Sequence, residues 1–222
     1  MMIKHYLKVA FRNLAKYKVQ SIVSILGLAV GFVCFALSTL WIRYEMTYDT
    51  FHEGAERIYL VRAHYAHEPG KISNSTPYPL ADYLQKGNPE IEAMASTSVQ
   101  KVKFRVKDTE KDVVSAAADS VLMNFFNIRV LRGTVNFLKG TNGEIAITEE
   151  FSKRIFGEEE ALGREVEVSG HASKVGAIVS GWSSHSNIPY SILTSARHYT
   201  QWGSANENLF VRIRKGTNGE EF

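Results

Sequence analysis

The sequence predicts an α+β domain preceded by an amphipathic helix and one transmembrane helix. Three observations predict it. Residues 19–42 form an uncharged run of 24 residues. Lys4, Lys8, Arg12, Lys16 and Lys18 precede that run, and no acid stands before Glu45. Beyond it, short strand-like and helix-like stretches follow one another without the regular alternation of a doubly wound sheet.

The 222 residues allow one or two domains with a sizeable core. A content of 45% hydrophobic and 22% charged residues excludes bulk disorder and low-complexity architecture. The single cysteine, Cys34, excludes an internal disulfide and a thiolate metal cluster. The net charge of +3 conceals an asymmetry. Six basic residues and no acid lie in residues 1–44, which leaves 20 basic against 23 acidic side chains in 45–222. Positive charge confined to one end does not point to nucleic acid.

The run Val19–Ile42 spans about 36 Å as a helix at about 1.5 Å per residue, enough for a hydrocarbon core of about 30 Å. Trp41 and Tyr44 stand where an interfacial aromatic belt belongs. A cleaved signal peptide has an apolar region of about 7–15 residues and small residues before the cut. Here the run is longer and leads into Leu40-Trp41-Ile42-Arg43. A lipid-modified Cys34 would follow a small residue, whereas Phe32-Val33 precede it. The reading is therefore a retained anchor. Five Lys/Arg precede the span and only Arg43 follows closely, so the N-terminus is expected in the cytoplasm and residues 45–222 outside it.

Within the span Ser24, Gly27, Gly31, Cys34 and Ser38 recur at spacings of three and four, and Gly27 and Gly31 form G-x-x-x-G. Small residues on one helix face allow close approach of a second helix in lipid, and Cys34 fits that face as a small residue. Before the span, Ile3, Tyr6, Leu7, Ala10, Phe11, Leu14 and Tyr17 repeat at helical spacing, with Lys4, Lys8, Arg12 and Lys16 on a separate stripe. This basic amphipathic helix suits the inner membrane surface. Its charges serve either as a topology signal or as a contact for a cytoplasmic partner.

In the external region Arg57–Ala63 reads as a strand. Thr76-Pro77-Tyr78-Pro79 is expected to start a helix running to about Lys86, stopped by Gly87-Asn88-Pro89. Val99–Val106 and Asp112–Ala118 read as strands joined by a turn at Lys107–Glu110. A short helix covers Ser120–Phe126, a strand Glu144–Thr148, and a helix opened by Thr148 runs to Phe156 before Gly157. Val166–Val168 and Lys174–Val179 flank a turn at Ser169–Ala172, and Leu209–Ile213 is the last strand.

No motif for phosphate binding, a nucleophile elbow or a zinc protease occurs. His64 and His67, three apart on an extended strand, face opposite sides and do not make a metal pair. His171, His185 and His198 are isolated. Glu158-Glu159-Glu160 reads as a solvated charge run. Ser183, Ser184, His185 and Ser186 have no orienting acid nearby in sequence. No catalytic, cofactor-binding or metal-binding residue is assigned.

Several stretches carry a family resemblance. Phe11-Arg12-Asn13-Leu14, with Lys16, Lys18, Ser21 and Ile25-Leu26-Gly27-Leu28, resembles the N-terminus of MacB/FtsX-type ABC transporter permeases. Tyr44-Glu45-Met46-Thr47-Tyr48-Asp49-Thr50-Phe51-His52, followed by Arg57-Ile58-Tyr59, is similar to the family's span exit. Pro89-Glu90-Ile91-Glu92, Ile145–Phe151 with Phe156-Gly157, Ala161-Leu162-Gly163-Arg164 and Ser184-His185 also match in order. The family's permeases have four or more spans, and this chain has one such run and no ATPase motif.

The resemblance implies a fragment of a longer permease. Residues 1–18 would be a cytoplasmic basic helix, 19–43 the transmembrane helix, and 44–222 a MacB-like periplasmic core domain truncated at its C-terminal end. That domain would pair a porter-like βαβ part, from Arg57 to about Val106 and again from Leu209, with an inserted sabre-like part. The implied activity is mechanotransmission in the bacterial inner membrane, without catalysis by this chain and with ATP bound by a separate cytoplasmic ABC ATPase. Implied partners are that ATPase, a second permease copy, the bilayer, and a periplasmic adaptor or outer-membrane component. Lys4, Lys8, Arg12, Lys16 and Lys18 would contact the ATPase or membrane surface. Ser24, Gly27, Gly31, Cys34 and Ser38 would pack in the membrane. Glu45, Tyr48, Asp49, Phe51 and His52 would join span to domain. The alternative is a single-span anchored sensor or ligand-binding module.

Overall fold

The computed structural model describes residues 2–66, 70–182, 185–197, 200–203 and 205–219. The chain divides into two units, Met1–Tyr48 and Asp49–Phe222. His67, Ser183, Ser184 and His198, singled out in the sequence, lie outside the described residues.

The first unit holds helix α1 (Met2–Lys16) and helix α2 (Lys18–Met46). Tyr17 separates them with φ −106° and ψ 57°. The Ser21 hydroxyl bridges the break by donating to the Leu14 carbonyl at 3.1 Å. The α2 helix satisfies its own backbone, as an apolar solvent requires, and Thr39 folds its hydroxyl back onto the Phe35 carbonyl at 2.9 Å. No α2 residue is buried, and Leu28, Phe32 and Phe35 stand exposed. It is long and apolar enough to cross a membrane. A helix apolar on every side and uncovered by its own chain calls for lipid or other helices around it.

The second unit runs β1 (Ile58–Leu60), β2 (Ala63–His64), β3 (Ile72–Ser73), β4 (Ser75–Pro77), α3 (Leu80–Gly87), β5 (Ile91–Thr97), β6 (Val99–Val106), β7 (Thr109–Ala118), α4 (Ser120–Phe125), β8 (Val130–Gly133), β9 (Glu144–Thr148), α5 (Glu149–Phe156), β10 (Glu165–Val168), β11 (His171–Val179), β12 (Ile192–Ser195) and β13 (Ala205–Ile213). The first sheet is built on β13. Antiparallel β5 flanks one edge of it, and β1 and β4 share the other. The strands β4 and β5, joined by α3, therefore run parallel with β13 between them, a split βαβ arrangement.

Alternation along β13 sorts its side chains onto two faces. Leu209, Val211 and Ile213 pack under α3 with Leu80 and Leu84. Phe210 faces the other way, toward the cluster holding Leu122, Met123, Phe125 and Phe126 of the α4 region. The edge strand β5 carries an irregularity: Ala93 pairs with Arg212 but Ile91 with Ile213, leaving Glu92 as an extra residue. That bulge lets Ile91 and Met94 share the α3 face while Ala93 and Ala95 face α4.

The second sheet runs β10-β6-β7-β12-β9-β11, and β10 also pairs with β11, so six strands close on themselves; β8 adds to β11. Val102, Phe104, Val113, Ile145, Ile147, Val166, Val175, Ile178 and Ile192 form one buried cluster with Phe151 of α5. Two-residue turns close two hairpins. Lys107 takes φ 51° between Val106 and Thr109, and Ser169 and Gly170 take φ 51° and 82° between Val168 and His171. Two positive φ values in succession suit the twist of adjacent strands. The Thr148 hydroxyl caps α5 by accepting from the Phe151 N–H at 3.2 Å. Asp119 caps α4 through the Leu122 N–H at 2.7 Å.

The helix expected from Thr76 is corrected. Ser75–Pro77 is strand, and α3 begins only at Leu80 with Pro79 at its N-cap. Proline holds the residue before it in extended backbone, and Thr76 is fully buried with its hydroxyl on the Glu207 carbonyl at 3.0 Å.

Candidate functional site

The candidate site is the segment that begins the second unit. Its first residue, Asp49, takes the left-handed backbone at φ 56°, which aspartate tolerates better than most side chains. Its N–H donates to the His185 carbonyl at 3.2 Å. Its carboxylate accepts from the Ser186 hydroxyl at 2.5 Å and from the Asn187 side-chain amide at 2.8 Å. The Asn187 backbone N–H adds a contact at 3.2 Å. Ser186 is buried, and its oxygen also accepts from the Ile188 N–H at 3.2 Å. A hydroxyl donating directly to a carboxylate and tied to its own turn is a polar clamp.

Three residues on, His52 turns inward. Its N–H donates to the Asp49 carbonyl at 3.3 Å. Its ring lies 4.2 Å from the Phe51 ring and 4.9 Å from both Phe126 and Trp182, centroid to centroid. The cluster continues from Phe126 to Phe210 at 5.1 Å and from Trp182 to Tyr190 at 4.9 Å. The Tyr190 hydroxyl donates to the Ser180 carbonyl at 2.9 Å. Burial lowers the His52 pKa from its ordinary 6.5; the Asp49 charge opposes this and the Arg212 charge adds to it. The imidazole is held as a neutral ring among aromatics. Burial likewise raises the Tyr190 phenol, so it stays a neutral donor.

Asp49, Phe51 and His52 are thus brought into one place, with partners drawn from sequence positions more than 70 residues away. Glu45 and Tyr48 belong to the first unit, where Tyr44 and Tyr48 meet edge to face at 5.6 Å. Lys8, Arg12 and Lys16 are exposed along α1, and Lys4 and Lys18 lie on α1 and α2. Ser24, Gly27, Gly31, Cys34 and Ser38 are exposed on α2, and a Cβ at Gly27 or Gly31 would meet nothing within 4 Å. Among the described residues no group of three His, Cys, Asp or Glu side chains gathers as a metal site. Sequence reading missed Ser186, Asn187, Phe126 and Trp182 as partners of this segment, because nothing local marks a pairing across so much chain.

The architecture is an apolar helix followed by a split βαβ sheet with an inserted closed sheet. The chain belongs to the family of MacB-like periplasmic core domains, which matches residues 21–222, from the first turn of the apolar helix onward. Its fold is similar to a domain of a protein assigned as a permease in Porphyromonas gingivalis, at 19% identity and a TM-score of 0.63 over 77% of this chain and 81% of that one. It is also similar to the extracellular domain of the noncanonic ABC-type transporter YknZ from Gram-positive bacteria, at 17% identity and a TM-score of 0.53 over 72% and 83% of the two chains. The periplasmic region of MacB from Actinobacillus actinomycetemcomitans matches at 12% identity and a TM-score of 0.53 over 74% and 77%. No curated protein matches the chain in sequence.

Proposed function

We propose that the chain is part of an ABC transporter permease that works by mechanotransmission. The apolar helix stays in the inner membrane with its N-terminus in the cytoplasm, and residues 45–222 lie outside. A separate cytoplasmic ATPase binds and hydrolyses ATP. The basic stripe of α1 meets that ATPase or the membrane surface, the Gly27/Gly31 face packs against another span, and a second permease copy completes a dimer. Movement of the span reaches the external domain through Asp49–His52, and the domain acts on an exported or extracted substrate.

The observation that carries this reading is the clamp at Asp49. A loose linker after a span would dissipate motion. Here the first residues after the helix are held by charge-assisted hydrogen bonds and by ring packing.

The test uses proteoliposomes containing the full permease and its ATPase. ATP should change hydrogen exchange in segments 49–57 and 185–190 together. The double substitution Ser186→Ala, Asn187→Ala should leave ATP hydrolysis in place and abolish the change in 185–190. No ATP-dependent change outside the membrane, or a reporter fused after Phe222 that proves cytosolic, overturns the proposal.

A further inference from the structure

The second unit contains a cleft of about 800 Å³, away from the Asp49 clamp except for the shared His52. Its walls come from the ends of β1, β5 and β13 and from the close of α4. Arg57, Arg212, Arg214 and Lys215 supply four positive charges against Glu53 and Glu92. Arg212 lies on the α4 side of β13, where it meets Phe125, and Arg214, just past the strand, lines the same cleft. The bulge at Glu92 turns that carboxylate to Arg57, whose Nη1 lies 2.5 Å away. Glu92 is thereby held ionised: its hydrogen bond to Arg57 lowers its pKa, with Arg57, Arg212 and Arg214 adding their charge.

The acids do not use up the cations. Arg57 divides its Nη1 between Glu92 and the Ile213 carbonyl, and its Nε stands 3.7 Å from the Glu56 carboxylate, leaving Nη2 uncommitted among the described residues. Arg212 lies over the Phe125 ring, 4.4 Å from its centroid, and donates Nη2 to the Phe125 carbonyl. Arg214 commits only Nε, to the Pro89 carbonyl at 2.8 Å, so its terminal nitrogens have no acceptor among the described residues. Lys215, exposed, lines the cleft next to it. The Nε atoms of Arg57 and Arg212 are buried without a hydrogen-bond acceptor among the described residues. Two anchored guanidinium groups, with Arg214 and Lys215 beside them, give this cleft more cationic donors than the described residues supply acceptors. Asn124 and Asn127 add neutral amide donors at the rim.

We infer that this cleft binds a phosphate-bearing ligand. Planar guanidinium forks fit tetrahedral oxyanions with paired hydrogen bonds, and the volume falls in the range of small-ligand pockets. The phosphate belongs either to a free phosphate ion or ester or to a phospholipid headgroup. The latter is a natural source because His52 follows the last residue of the apolar helix by six positions. The site stands independently of the coupling proposed above.

The test is isothermal titration of the full chain in a nonionic detergent. The probes are inorganic phosphate, dihexanoyl phosphatidylglycerol, and dihexanoyl phosphatidylcholine as the zwitterionic control. Saturable binding tighter than about 1 mM is expected for at least one of the first two, weakening as salt shortens the screening length. Binding of phosphate alone assigns a free anion. Binding of phosphatidylglycerol without phosphate or phosphatidylcholine assigns a headgroup. The double variant Arg214→Gln, Lys215→Gln, altering two exposed side chains, should weaken binding at least tenfold with an unchanged melting temperature. Absence of saturable binding by both anionic probes, or undiminished affinity in the double variant, overturns the inference.

Discussion

Replacing Asp49 separates two effects that the structure superimposes at one residue. Removing the carboxylate strands the buried Ser186 hydroxyl and the Asn187 donors. An unsatisfied buried donor costs about 1–3 kcal/mol, and Asn187 is exposed enough for water to replace its partner, so the lower half of that range applies. The left-handed backbone at φ 56° adds about 1–2 kcal/mol when alanine must occupy it, and nothing when glycine does. Asp49→Ala should therefore destabilise the second unit by about 2–4 kcal/mol, Asp49→Gly by about 1–2, and Asp49→Asn, which keeps an acceptor and tolerates the backbone, by about 1. For a domain of this size about 3 kcal/mol lowers Tm by about 6–12 °C. Trp182, packed on His52 and Phe126, gives the fluorescence signal for unfolding the full chain in detergent. Alanine and glycine variants both within about 0.5 kcal/mol of the parent would refute the clamp. Equal losses for the two would refute the backbone argument alone.

Two further outcomes follow from the same geometry. Because burial lowers the His52 pKa below 6.5, the unfolded chain takes up a proton first as pH falls, and the stability present above that value is lost between it and the lower folded pKa. His52→Phe keeps a ring in the cluster and should flatten this slope between about pH 7 and pH 5 in denaturant titrations; an unchanged slope assigns it to other groups. Gly133 has φ 87°, and a Cβ there would stand 2.3 Å from the Gly176 carbonyl oxygen and 2.9 Å from the Ala177 Cα. Gly133→Ala should cost more than about 3 kcal/mol in thermal unfolding, whereas Gly143→Ala, with its nearest atom at 3.8 Å, should cost about 1–2; equal shifts would show that the close approach is relieved at little cost.

Much of the architecture was legible because its signals are local. The uncharged run delimited the long helix, alternation and the turn read at Lys107–Glu110 marked β6 and β7, although β7 starts already at Thr109, and Thr148 marked the start of α5. Other elements left no such trace. In β5 the bulge at Glu92 breaks the alternation that would reveal a strand, so Ile91, Met94 and Ala95 are buried on opposite faces. The strands β8 and β12 have four residues each, too short for a period to register. The proline pair at 77 and 79 reads equally as a helix start and as a strand exit, and only the pairing of Ser75–Pro77 with β13 decides it. At the candidate site the junction residues were visible through family resemblance. Their partners were not, since Asp49 and Ser186 are 137 positions apart.

The placement of those partners determines where a load applied at residue 49 would go. The sheet closest in sequence, through β1, is not what holds Asp49. Its carboxylate is held by residues 186 and 187, on the loop that enters β12, a strand of the closed second sheet. His52 adds Trp182, just past β11 of that same sheet, and Phe126, at the end of α4. The β13-based sheet joins through Phe210, which packs on Phe126, through Arg212, which donates to the Phe125 carbonyl, and through Arg57, just before β1, which donates to the Ile213 carbonyl. A pull on Asp49 would therefore load the inserted closed sheet through the carboxylate clamp, and the split βαβ sheet through the ring cluster, Arg212 and the chain that runs through Arg57 into β1.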